Sequence, residues 1–232
     1  MLSSLVVGLA IGSAYSLLAV AVVLVYSGTK VLSLAVGEIG AFGLYAGLWW
    51  HDNGILGTKP PVWVAALVAM LIGGVLALLV ERLVMRPLLG RPALGLWLFL
   101  TRTSFGLATR ATTSDPTVAR LLGVPVNRVY VFSWGVAGLL SGAAAALLAN
   151  VNGSLTPFSL TAALLSALAG AVIGGLDSLG GAVAGSVVVG LVNGVIGSRV
   201  DPTTGAGVVF VAVLVTLLVR PRGMFGSTRV AA

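Results

Sequence analysis

The sequence predicts an all-α protein, a polytopic bundle of about seven transmembrane helices in one domain over residues 1–232. Three observations carry this: the composition, the length of the uncharged runs, and the one-sided placement of the basic residues. The apolar fraction is 58%, the charged fraction 8% and the mean hydropathy +1.12. A water-soluble surface of mixed charges cannot be assembled from such a chain, so lipid is the solvent that fits. The chain has no Cys and a single His, His51. Disulfides, thiolate metal sites, thiol nucleophiles and paired imidazoles are therefore excluded. The net charge of +7 is spread between apolar runs. It forms no basic face of the kind that grips nucleic acid, and no nucleic-acid partner is expected.

Runs free of Asp, Glu, Lys and Arg extend over Met1–Thr29, Pro60–Val80, Val129–Leu176, Ser178–Ser198 and Pro202–Val219. A bilayer crossing takes about 20 residues at about 1.5 Å each. The first run has no basic residue ahead of its apolar stretch and meets its first positive charge, Lys30, only afterwards. It reads as a retained helix rather than a cleaved signal peptide. The longest run is interrupted by Asn150, Asn152, Gly153, Ser154 and Pro157, and so holds two crossings. The expected spans are Ser4–Tyr26, Val31–Trp50, Val62–Val80, Val129–Ala149, Leu160–Leu176, Gly181–Gly197 and Gly205–Val219. Between the third and fourth lies Glu81–Arg128, whose apolar piece Ala93–Leu100 is too short to cross and is expected at the surface or re-entrant.

Alternating these spans from an outside N-terminus makes the C-terminus cytoplasmic. It places Lys30, Arg82, Arg86, Arg91, Arg102, Arg110, Arg120, Arg128, Arg220, Arg222 and Arg229 inside, and only Lys59 and Arg199 outside. Cytoplasmic loops retain Lys and Arg, so this is the expected orientation. Trp49, Trp50 and Trp63 then fall at the outer headgroup level, where amphipathic rings prefer to lie.

Glycine is the second strong signal, with 32 residues, many four apart: Gly8 with Gly12, Gly43 with Gly47, Gly170 with Gly174, Gly181 with Gly185, and Gly190 with Gly194. Small residues at that spacing form a groove in which helix backbones approach closely, and packing is the expected role. Glu38 is the only acidic residue inside an expected span, and a carboxylate there must face the bundle or water. A pathway or gating role and a purely structural one, with Gly37 and Gly40 making room, both stand. Asn193 is the matching polar residue of the sixth span, with an interhelical hydrogen bond favoured over ligand contact. His51 and Asp52 are expected in a solvated outer loop.

Within the loop, Ser114 or Asp115 can cap a short helix with Pro116 at its first position, and Val118, Leu121 and Leu122 give that helix one apolar side. Such a surface either tucks under the bundle or docks to a partner. No catalytic group is expected. Lys30 and Lys59 each follow Thr, so no phosphate-binding Gly-Lys-Ser/Thr turn is present, and the chain cannot hydrolyse ATP unaided. The string Gly174–Gly181 (GGLDSLGG) joins two apolar runs with no strand before it, and reads as a tight turn between helices.

These residues resemble the permease subunits of branched-chain amino acid ABC transporters, a group that also serves amides and urea. Gly8–Tyr26 resembles the family's first helix, and Leu34-Ala35-Val36-Gly37-Glu38 its Ala-His-Gly-Glu segment, with Val36 in place of the usual His. Arg86-Pro87-Leu88, Thr103–Val124, GGLDSLGGAVAG and the closing Arg220-Pro221-Arg222-Gly223-Met224-Phe225-Gly226 are similar to further family segments, the last two being the most specific. After Arg91-Pro92 the family has two further membrane helices before its main loop, and this chain goes almost directly to that loop. Losing an even number preserves the orientation of every downstream span.

The resemblance implies a multi-pass permease of a bacterial cytoplasmic (inner) membrane. It would pair with a second permease chain, like or unlike itself, and receive substrate from an extracytoplasmic binding protein. It would hold no cofactor of its own, with ATP bound by partner ATP-binding cassette subunits. It further implies that the loop docks to those subunits, with Arg110, Asp115, Pro116, Ala119, Arg120 and Gly123 at the matching positions. A non-transporting membrane scaffold and an ion-coupled carrier using Glu38 are the rival readings.

Overall fold

A computed structural model describes residues 2–29, 32–54, 60–85, 126–152, 157–197, 202–220 and 223–225, and every regular element among them is helical. In chain order they are α1 (Leu2–Thr29), α2 (Ala35–Asn53), α3 (Val62–Val80) with a π-helical turn (Glu81–Met85), α4 (Val126–Asn152), α5 (Pro157–Gly174), α6 (Leu179–Gly197) and α7 (Pro202–Val219). Each lies within a few residues of an expected span. Ala93–Leu100 and the loop positions Arg110, Asp115, Pro116, Ala119, Arg120 and Gly123 lie outside the described residues.

Among the described residues, four stretches are by length and hydropathy sufficient to cross a membrane: Ser4–Ser27, Val62–Leu83, Val126–Val151 and Leu179–Gly197. α5 and α7 are apolar helices of 18 residues each, and α2, diluted by glycines and polar residues, is the least apolar of these three. Two expectations are corrected at helix ends. His51 and Asp52 are not loop residues but the last turn of α2, where half-buried His51 places Nδ1 2.6 Å from the Pro60 carbonyl oxygen. Glu38 is not the only acidic residue within a span, because α3 runs on through the π turn and carries Glu81 inside. Glu81 is 1% exposed, the one charged side chain so buried among the described residues.

Glycine explains how the bundle closes. Helices in lipid gain nothing from burying apolar surface against each other, so close packing has to supply the cohesion. α1 and α6 run antiparallel and meet glycine to glycine. A methyl group on Gly190 would overlap the Cα of Gly12, and one on Gly194 the Cα of Gly8. Ser16 continues the seam, its Oγ donating to the Gly12 carbonyl at 2.7 Å and the Val183 carbonyl at 3.2 Å. Gly43 and Gly47 of α2 lie against Ala65, Ala69 and Gly73 of antiparallel α3, and α3 in turn packs Gly73 on Gly138 of antiparallel α4. Gly181 and Gly185 of α6 receive the backbone of Gly174 and Gly170 of α5.

The larger side chains fill what remains. Trp134 of α4 is wholly buried among Ala21, Val25, Val36, Ile39, Ala77 and Ala137, contributed by α1, α2, α3 and α4 itself. Among the described residues α7 packs mainly on α5 and α6, and most of its side chains are exposed.

The Gly-rich turn and the C-terminal motif meet. Gly175 (φ 111°) leaves the end of α5, and Ser178 Oγ accepts from the Gly181 N–H at 3.0 Å, capping α6. The N–H groups of Met224 and Phe225 donate to the carbonyls of Ile173 and Gly174, each at 2.9 Å, satisfying acceptors that the last turn of a helix leaves open. Gly223 makes this approach possible: its φ is 79°, and a Cβ there would lie 2.5 Å from the Cα of Gly175.

Candidate functional site

The first turn of α2 is tied to two other helices. Gly40 carries no side chain, and Ser141 of α4 takes the space, donating its hydroxyl to the Val36 carbonyl. Gly37 likewise makes room for Leu164 of α5, to which a Cβ would come within 2.9 Å. Between these contacts, Thr161 of α5 donates its hydroxyl to Glu38 Oε1 at 2.6 Å. Glu38 is exposed on the bundle surface, while its neighbours Val36, Gly37, Ile39 and Gly40 are buried. The sequence therefore directs one side of the turn inward and holds a carboxylate outward. Its position in the first turn of α2 also sets it beside the positive end of that helix's dipole.

Val36, in place of the His that the resemblance implies, is 1% exposed and packs in the cluster around Trp134.

Asn193 does not join this site. It lies half-buried on α6, facing α7, where a Cβ on Gly205 would be 3.1 Å from Asn193 Oδ1. α2 and α6 share no substantial interface, so Glu38 and Asn193 belong to separate places. Thr161 is the partner that sequence reasoning passed over. A threonine in an apolar run carries little signal, and only the contact between two helices remote in sequence gives it meaning. Glu81 was passed over for another reason, as it stands one residue beyond the expected end of the third span.

The site offers one carboxylate and one hydroxyl, suited to binding a hydrogen-bond donor or a cation and lacking a nucleophile–base pair. Among the described residues no three His, Asp or Glu side chains gather as a metal ion would require. A separate apolar cavity of about 410 Å³ lies between α2 and α3, lined by Ala46, Trp49, Trp50, Val68 and Ile72.

Comparison with known proteins bears on what this bundle is. Residues 92–218, more than half of the chain, match the family described as the permease component of branched-chain amino acid transport systems. A probable branched-chain amino acid transport permease, LivH of Methanocaldococcus jannaschii, is 27% identical over 205 residues, covering 85% of this chain and 58% of the relative. The high-affinity branched-chain amino acid permease BraD of Pseudomonas aeruginosa is 30% identical over 140 residues, 59% of this chain and 44% of its own length. The xylose transport permease XylH of Escherichia coli is 34% identical over 165 residues, 65% of this chain and 42% of its own length. The chain thus spans less than two thirds of these relatives. No solved structure matches it. With the family match running over residues 92–218 of a glycine-seamed helical bundle, the chain belongs to the branched-chain amino acid transport system permease family.

Proposed function

We propose that the chain is the membrane-spanning subunit of an ABC importer, moving a small hydrophobic amino acid inward on ATP hydrolysed by a partner. The observation that carries this is the family match over residues 92–218, joined to four helices long and apolar enough to cross a membrane. The sequence has no phosphate-binding loop, so the motor is a separate subunit and this chain is not the enzyme. The domain is single and multi-pass, in a cytoplasmic membrane. The basic asymmetry supports an outside N-terminus and a cytoplasmic Arg102–Arg128, the segment that docks to the motor. Arg82 and Arg128 are exposed where α3 ends and α4 begins. A second permease chain and an extracytoplasmic binding protein complete the assembly. Rocking of the helices, driven by nucleotide, exposes the pathway to each side in turn.

Co-expression with candidate ATP-binding subunits tests this reading. A complex should co-purify, and substrate uptake should stop on ATP depletion while tolerating ionophores. Failure to retain any such subunit would overturn the importer reading, and a stable complex without uptake would mark the chain as a scaffold. The match to a xylose permease favours a second substrate class, a pentose. Competition between leucine and xylose for uptake separates the two.

A further inference from the structure

Two helices begin where no full membrane span should. In strictly alternating spans the second and fifth helices start on opposite faces, a hydrocarbon thickness of about 30 Å apart. Yet Glu38, the fourth residue of α2, and Thr161, the fifth of α5, are joined at 2.6 Å. The α4 helix shows where this junction lies. Val36 is bonded by Ser141, which at about 1.5 Å per residue stands roughly 22 Å from Val126 and 15 Å from Val151, the two ends of that span. The start of α2 is therefore level with the middle of α4, and α5 begins close by. Consistently, α2 is not among the helices apolar enough to cross.

An exposed carboxylate at that depth cannot face acyl chains without a large desolvation penalty, so the opening beside it has to be polar. Helices that start inside a bilayer are tolerated where they line a water-filled cavity. We infer that the Glu38–Thr161 junction lines a water-filled vestibule at mid-depth that selects cations and takes a primary ammonium group. Thr161 occupies one carboxylate oxygen, and the exposed side chain leaves the other for a donor from the vestibule. This deepens the permease reading, on which it rests for its purpose, since a zwitterionic amino acid presents such an ammonium; its test requires no transport.

The chain has no cysteine, so one introduced by Ala162→Cys, at an exposed position beside Thr161, reports on this place alone. The purified full chain in lipid nanodiscs is treated with thiosulfonates bearing a trimethylammonium or a sulfonate group. Both should react from water far faster than with Ala212→Cys on the exposed flank of α7. Adding Glu38→Gln should lower the cationic-to-anionic rate ratio roughly fivefold or more, while Glu38→Asp keeps it. With Glu38 intact, butylammonium should slow labelling of Ala162→Cys and butyrate should not, a readout that survives if the glutamine variant fails to fold. The inference is overturned if Ala162→Cys reacts no faster than Ala212→Cys, if the ratio ignores Glu38, or if butylammonium gives no protection. A chain that labels as described but captures no ATP-hydrolysing subunit sinks the importer reading and keeps the vestibule.

Discussion

The α1–α6 seam and the α2–α5 junction are built from similar sequence, apolar runs punctuated by glycine, and do opposite things. In the seam, Gly8 and Gly12 accept Gly194 and Gly190 so closely that no side chain fits between, and the surface is dry and buried. At the junction, the space beside Gly37 and Gly40 is also filled by neighbours, but Glu38, which lies between them, is exposed and bonded to one hydroxyl. The same small residues that cement one interface position a carboxylate at the other. Both carry hydroxyl groups, Ser16 in the seam and Ser141 and Thr161 at the junction, and what differs is the carboxylate.

The contrast breaks most sharply at the packed side. Trp134→Ala, which empties the space shared by α1, α2, α3 and α4, should lower stability by about 3–5 kcal/mol, read by unfolding in mixed detergent micelles. Gly190→Ala forces a methyl group onto the Gly12 backbone and should cost about 1–3 kcal/mol in the same titration, with loss of α1–α6 contact by disulfide trapping. Gly223→Ala, at a positive φ and against Gly175, should cost about 1–2 kcal/mol and release the tail from the end of α5, seen as faster amide exchange at Met224 and Phe225. Thr161→Val sharpens the other side of the contrast. Losing one membrane hydrogen bond should shift stability by only about 0.6 kcal/mol. If the variant instead unfolds the bundle, the junction is structural cement like the seam, and the difference between the two regions disappears.

Much of the fold was legible because lipid imposes a simple grammar: long uncharged runs become helices, and glycines four apart become interfaces. That is why Gly8, Gly12, Gly190 and Gly194 were readable as packing residues, although not as partners of each other. The candidate site was half legible. Glu38 declared itself by charge, whereas Thr161 is 123 positions away and unremarkable in its own helix. Asn193 looked equivalent to Glu38 on polarity alone, but it faces Gly205 of α7.

By itself the sequence determined the solvent, the helical class, the approximate ends of the helices and the lack of a phosphate-binding loop, since each comes from local composition and spacing. Only the tertiary structure decided which glycines face which, that α3 carries Glu81 inward, and that α2 and α5 start beside each other. Those outcomes depend on contacts between residues distant in the chain, and helical periodicity carries no information about the depth at which a helix begins.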